Sequence, residues 1–189
     1  MLKLIMASSS ALFALISSVL ILAVFLQSDC DLALRLLPFN PIRKFERKVV
    51  WITGASSGIG ASLAKAFSKS GAIVVISARR EKQLEEVSES CSHNGQKPFS
   101  LVLDVTDYDS HQKAVQQIIS KFGRIDILVM NAGRSQRALA LDTPLSETQE
   151  LMNLNFLSYV ALAKHVIPEM SKMGGGQVIG MPLYYAIYN

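Results

Sequence analysis

Thr53-Gly54-Ala55-Ser56-Ser57-Gly58-Ile59-Gly60 is the stretch of this sequence whose residue types and spacing best suit a chemical task. Three glycines and two adjacent serines offer main-chain N–H groups and small hydroxyls with little bulk around them. Such a set binds phosphate. A phosphate is anionic, and the first turn of a helix presents unpaired N–H groups with a partial positive charge. Glycine lets the main chain approach a pyrophosphate without a Cβ in the way and lets a helix pack closely on a strand. Gly54, Gly58 and Gly60 are therefore candidate backbone ligands, with Thr53, Ser56, Ser57 and Ile59 beside them.

This turn needs a strand before it and a helix after it. Val49-Val50-Trp51-Ile52 is short, wholly apolar and β-rich, like a strand buried on both faces. Ala61 to Ser70 predicts a helix whose apolar face is Leu63, Ala64, Ala66 and Phe67. Gly71 ends it, and Ile73-Val74-Val75-Ile76 predicts a second buried strand. Strand, glycine turn, helix and strand within about thirty residues is the setting that gives a glycine motif meaning. Two later apolar runs, Phe99 to Leu103 and Ile125 to Met130, lead into Asp104-Val105 and Asn131-Ala132-Gly133. Asn155 falls in a helix beginning near Leu145, and a fifth strand starts at Gly175-Gly176-Gln177-Val178-Ile179.

The spacing Gly54-x-x-x-Gly58-x-Gly60 after Thr53 differs from the common Gly-x-Gly-x-x-Gly fingerprint. It resembles the TGxxxGxG signature of the short-chain dehydrogenase/reductase family. Asp104-Val105 resembles the family's adenine-holding aspartate. Asn131-Ala132-Gly133 resembles its Asn-Asn-Ala-Gly motif, with Met130 in place of the first asparagine, and Asn155 resembles its active-site asparagine. The resemblance covers residues 48 to 179, and within the family the sequence is similar to the membrane-anchored dehydrogenase/reductase member-seven group. It implies an α/β fold, a Rossmann-type doubly wound parallel sheet with strands 3-2-1-4-5 present. It also implies hydride transfer between a nicotinamide coenzyme and a small lipophilic carbonyl or alcohol, such as a steroid, retinoid or xenobiotic ketone.

An NAD-selective sheet of this kind carries an acid at the end of its second strand. Here that stretch is Ser77-Ala78-Arg79-Arg80, with no carboxylate until Glu81. A guanidinium is a planar, permanent cation suited to phosphate. Arg79, helped by Ser56, is thus expected to take the 2′-phosphate of NADP(H), with NAD(H) as the alternative.

The resemblance also implies a catalytic serine and a Tyr-x-x-x-Lys pair after the fifth strand. The lysine lowers a tyrosine pKa that is otherwise about 10. The sequence instead continues Gly180-Met181-Pro182-Leu183-Tyr184-Tyr185-Ala186-Ile187-Tyr188-Asn189. Tyr188 lies four residues after Tyr184, Asn189 four after Tyr185, and no serine follows Ser171. The expectation is a domain truncated before its catalytic residues, a truncated or alternatively spliced product that keeps Asn155 of the proton relay. Such a chain is inactive, leaves its fifth strand at an exposed edge, lacks most of the family's dimer interface and folds marginally. The other reading is a non-catalytic, membrane-tethered NADP(H)-binding or interaction module. A methyltransferase is disfavoured by the Asn-Ala-Gly turn and the missing acid after strand two.

Composition limits the remaining classes. The 189 residues are 50% hydrophobic and 18% charged, with a mean hydropathy of +0.29, which excludes a disordered chain. Much of the apolar excess lies in Ile5 to Leu26, which carries no charge. As a helix this segment extends about 33 Å, against a hydrocarbon core of about 30 Å. Residues 1–28 are expected to be a membrane anchor or uncleaved signal, with a cleaved signal peptide as the competitor. Residues 29–47 then form a juxtamembrane linker, 48–180 the NADP-binding domain and 181–189 a divergent tail.

Lys3 precedes the span, while Arg35, Arg43, Lys44, Arg47 and Lys48 follow it, a bias that keeps the body cytoplasmic. An endoplasmic reticulum membrane is the expected location. The net charge of +4 divides into +3 over residues 1–48 and +1 over the rest, which points to a membrane surface and not to nucleic acid. His93, His111 and His165 lack metal-ligand spacing, and Asp104, Asp107 and Asp109 lack the glycine and distal Glu of a calcium loop, so no metal is expected. Cys30 and Cys91 read as two free thiols.

Overall fold

The computed structural model describes residues 17 and 18, 45–92 and 96–181. Residues 17 and 18 are helical. The rest of the expected membrane segment, the linker up to residue 44, His93 and residues 182–189 lie outside the described residues. Among the described residues no helix is long and apolar enough to cross a membrane.

Strand β1 (Val49–Thr53) is buried along its whole length. It pairs in parallel with β2 (Ile73–Ala78) on one side and β4 (Ile127–Met130) on the other. β3 (Phe99–Val102) extends the sheet beyond β2, and β5 (Gln177–Gly180) extends it beyond β4, giving the parallel order β3-β2-β1-β4-β5. This is the Rossmann-type order expected of the sequence.

Helices cover both faces. Side chains alternate along a strand, so Val50 and Ile52 join Val74, Ile76 and Val129 beneath α1 (Gly58–Lys69) and α2 (Glu81–Ser90). Val49 and Trp51 face the other way, with Val75 and Leu128, beneath α3 (Asp109–Phe122) and α5 (Ser158–Lys172). A helix α4 (Leu145–Met152) runs into α5 through one π-turn, Asn153–Leu157. The chain leaves β1 toward β2 and returns later beside β1 as β4. That reversal opens a crevice at the carboxyl ends of β1 and β4.

Element ends differ from the expected ones for identifiable reasons. α1 begins at Gly58, ahead of the expected Ala61, and Gly60, a poor helix former, is held in its first turn by close contact with the turns after β1 and β4. β4 begins at Ile127, not Ile125, because Asp126 turns its carboxylate to the start of β1. Asp126 Oδ2 accepts the Val49 N–H at 2.9 Å, while Oδ1 accepts from Lys48 Nζ at 3.0 Å and Arg124 Nη2 at 2.6 Å. Burial alone would raise its pKa, but the Val49, Lys48 and Arg124 hydrogen bonds outweigh that and hold it below the usual value. β5 lies at the edge of the described sheet with all four residues exposed, Val178 at 38% and Ile179 at 40%.

Candidate coenzyme site

The crevice is a cavity of about 370 Å³ whose floor is the turn after β1 and whose walls come from the turns after β2, β3 and β4. Thr53 ties two of these turns together. Its buried hydroxyl donates to the Val129 carbonyl at 3.4 Å and accepts the N–H groups of Asn131 and Ala132 at 3.1 and 3.2 Å. Asn131 returns the link, its Nδ2 donating to the carbonyls of Thr53 and Gly54 at 3.1 and 3.2 Å.

The glycines are required by this closeness. Gly54 has φ +66°, and a Cβ on it would stand 2.6 Å from Ala132 Cα. A Cβ on Gly60 would stand 2.6 Å from both Asn131 Nδ2 and the Gly54 carbonyl oxygen. The close approach thus serves packing between the β1 and β4 turns as well as access for a ligand.

Ser57 occupies the N-cap of α1 but makes no side-chain cap bond. Its hydroxyl instead accepts from Arg80 Nη2 at 3.2 Å, and Ser56 Oγ accepts from the same nitrogen at 3.0 Å. The first turn of α1 carries no acidic residue, so its N–H groups keep their positive end for an anion. Exposed Ile59 lines the same cavity. The residues present therefore fit a dinucleotide: uncapped helix amides for the pyrophosphate and two arginines beyond them.

Arg79 also lines the cavity, with Nη1 3.9 Å from Asp104 Oδ2. The structure brings Arg80, not Arg79, to Ser56. Sequence reasoning missed this because the two arginines stand side by side where β2 ends, and alternation no longer says which turns inward. Asp104 Oδ1 accepts from Thr106 N–H at 2.9 Å and Thr106 Oγ1 at 2.7 Å. Its burial raises the pKa, but these bonds and the Arg79 charge more than compensate and hold it below the usual carboxylate value. Val105 is buried beside it, and its carbonyl accepts from His111 Nε2 at 2.9 Å.

Asn155 sits in the π-turn and reaches the chain just after Gly133. Its Oδ1 accepts the Arg134 N–H at 3.0 Å, and its Nδ2 donates to the Arg134 carbonyl at 2.9 Å. π-turns are frequent at functional sites because the extra residue re-aims a side chain. Arg134 was not singled out in the sequence. Its guanidinium bridges Glu147 at 2.8 Å and Glu150 at 3.0 Å, locking α4 to the turn after β4. The spacing of two glutamates three apart on one helix was the available signal.

Other candidates fall away from this cleft or stand in its wall. Tyr159 is half-buried, and burial pushes its pKa up to about 12, so it is no base. The Tyr108 hydroxyl donates to Asn153 Oδ1. Neither tyrosine has a lysine four residues on. Cys91 is a buried free thiol. Among the described residues no three His, Cys, Asp or Glu side chains gather as a metal site would need.

A parallel sheet in this order, with a glycine turn feeding an uncapped helix at the switch point, defines a Rossmann-type dinucleotide-binding domain. The family model described as "short chain dehydrogenase" matches residues 48–182, and the chain belongs to the short-chain dehydrogenase/reductase family. It is 44% identical over 176 residues to "Dehydrogenase/reductase SDR family member 7" of Mus musculus, covering 89% of this chain and 52% of the relative. It is 40% identical over 134 residues to "11-beta-hydroxysteroid dehydrogenase A" of Sesamum indicum, covering 70% of this chain and 38% of the relative. A short-chain type dehydrogenase/reductase from Mycobacterium marinum superposes with TM-score 0.69 at 34% identity, covering 72% of this chain and 56% of that one. The chain spans about half the length of the mouse relative.

Proposed function

We propose that residues 48–180 are the NADP(H)-binding part of an oxidoreductase acting between the coenzyme and a small lipophilic carbonyl or alcohol. The uncapped N-terminus of α1, with Arg79 and Arg80 where an NAD-selective domain carries an acid, carries this reading. The bound nicotinamide supplies or accepts the hydride. The chain's own residues bind and orient. α1 amides, Ser56 and Ser57 hold the pyrophosphate, and Asp104 and Val105 hold the adenine. Asn131, Ala132 and Gly133 line the nicotinamide side. Arg79 and Arg80 offer two forks to a 2′-phosphate, with Ser56 between them and the glycine turn. Asn155 holds a water of the proton relay.

A steroid-like substrate is supported by the name of the sesame relative. Membrane attachment through residues 5–26, at the endoplasmic reticulum, is supported by the charge-free run there. The serine and the Tyr-x-x-x-Lys pair are not among these 189 residues, so this polypeptide is expected to bind coenzyme without turnover. Titration of the purified 189-residue chain with NADPH and NADH, followed by nicotinamide fluorescence, tests the coenzyme. Tighter NADPH binding is expected, and equal or absent binding refutes it. NADPH consumption above blank with a panel of steroids, retinal and ketones would refute inactivity.

A further inference from the structure

His111 is wholly buried on α3. The buried residues of α3 are His111, Ala114, Val115 and Ile118, the i, i+3, i+4, i+7 spacing of an apolar stripe. An aliphatic side chain would cover the same surface. The imidazole brings two nitrogens out of water and only one is matched. Nε2 lies 2.9 Å from the Val105 carbonyl oxygen, while Nδ1 is buried without a partner. A carbonyl oxygen can only accept, so Nε2 carries the proton and donates. The ring is wedged edge-on between Tyr108 and His165, with centroids 5.7 and 6.2 Å away, which fixes its plane.

A polar side chain kept in an apolar stripe with one nitrogen unmatched points to the matched one. Val105 and Asp104 form the cleft wall after β3. Bonds within this turn are local: Thr106 N–H to Asp104 Oδ1 at 2.9 Å and Asp107 N–H to the Asp104 carbonyl at 3.1 Å. The His111 bond is different in kind. It runs from the buried face of a core helix to the wall itself, six residues back along the chain.

We propose that His111 is a positioning residue for the adenine end of the coenzyme: its Nε2–H fixes the Val105 carbonyl and so the set of Asp104-Val105. It acts without touching the coenzyme. The inference rests on the coenzyme reading given above, and its test must separate the two.

The full 189-residue chain is compared with His111→Leu, which removes the donor, and His111→Gln, whose amide N–H can replace it. The probes are NADPH and reduced nicotinamide mononucleotide, which has no adenine. His111→Leu weakens NADPH about tenfold, the cost of one lost hydrogen bond, and leaves the mononucleotide unchanged. His111→Gln returns NADPH to within about threefold of wild type. Equal weakening of both probes, or no recovery with Gln, overturns the proposal. Amide exchange in the coenzyme-free protein gives an independent reading. Thr106 and Asp107 amides exchange about tenfold faster in His111→Leu and recover in His111→Gln. If wild type binds neither probe, the coenzyme reading fails by itself, and unchanged exchange at Thr106 and Asp107 overturns the role of His111.

Discussion

Replacing Thr53 by valine keeps the shape of a buried side chain while deleting its hydroxyl. The hydroxyl is fully used, with one proton given to Val129 and two lone pairs taken by Asn131 and Ala132. In Thr53→Val a methyl group would face two amide N–H groups. A buried donor left unmatched costs about 1–3 kcal/mol. Asn131 and Ala132 are half-buried, so the lower part of that range applies to each, and the pair sums to about 2–3 kcal/mol. Thr53→Ser keeps the hydroxyl and loses one methyl, about 1 kcal/mol. Equilibrium urea unfolding separates the two, because with a slope near 2 kcal/mol per M the Thr53→Val midpoint falls by about 1 M or more. Since Asn131 Nδ2 also holds the Thr53 and Gly54 carbonyls, NADPH binding should weaken in Thr53→Val as well. A valine variant as stable as the serine variant would show that the hydroxyl does not join the two turns.

Removing the Asp126 carboxylate strands Lys48, Arg124 and the Val49 N–H. Because both cations are nearly half exposed, Asp126→Ala should cost about 2–3 kcal/mol at pH 7, below the 3–5 of a fully buried pair. The folded pKa of Asp126 is depressed, so its contribution is complete above about pH 4 and fades as pH falls through the lower folded value. Thermal melts from pH 7 to pH 2.5 should therefore show the wild-type advantage closing in acid, and a constant gap would refute the link. Gly60→Ala drives a Cβ into Asn131 Nδ2 and the Gly54 carbonyl, so coenzyme fluorescence titration should show a loss of about tenfold or more. Arg79→Asp and Arg80→Asp should each shift preference from NADPH toward NADH. Because Arg80 alone contacts Ser56 and Ser57, the larger change is expected there, and a selectivity that moves with neither removes the arginine reading.

How far the sequence could be read depended on how far apart the deciding residues stand. Val49–Ile52 and Ile73–Ile76 announce buried strands because every side chain of a central parallel strand faces a helix layer, so apolarity is continuous and local. The glycine turn is legible because its residue types fall on eight consecutive positions, although the contacts that require Gly54 and Gly60 include Ala132 and Asn131 in the turn after β4. Asp104, Asn131 and Asn155 were found through their place after apolar runs and in a helix. Their partners were not: Thr106 is two residues from Asp104, but Thr53 lies 78 residues from Asn131 and Arg134 lies 21 from Asn155.

The sheet order and the glycine turn were thus already present in the order of residue types along the chain. Folding decided the rest of the site. It chose Arg80 over Arg79 for Ser56, joined Arg134 to Glu147 and Glu150, gave Asp126 three donors and set His111 behind Val105. The physical reason is one of range. Apolar periodicity acts between neighbours in sequence, whereas a hydrogen bond needs a donor within about 3 Å along a set direction. Strand register and helix placement supply that alignment, and they exist only once the sheet has closed around both of its cores.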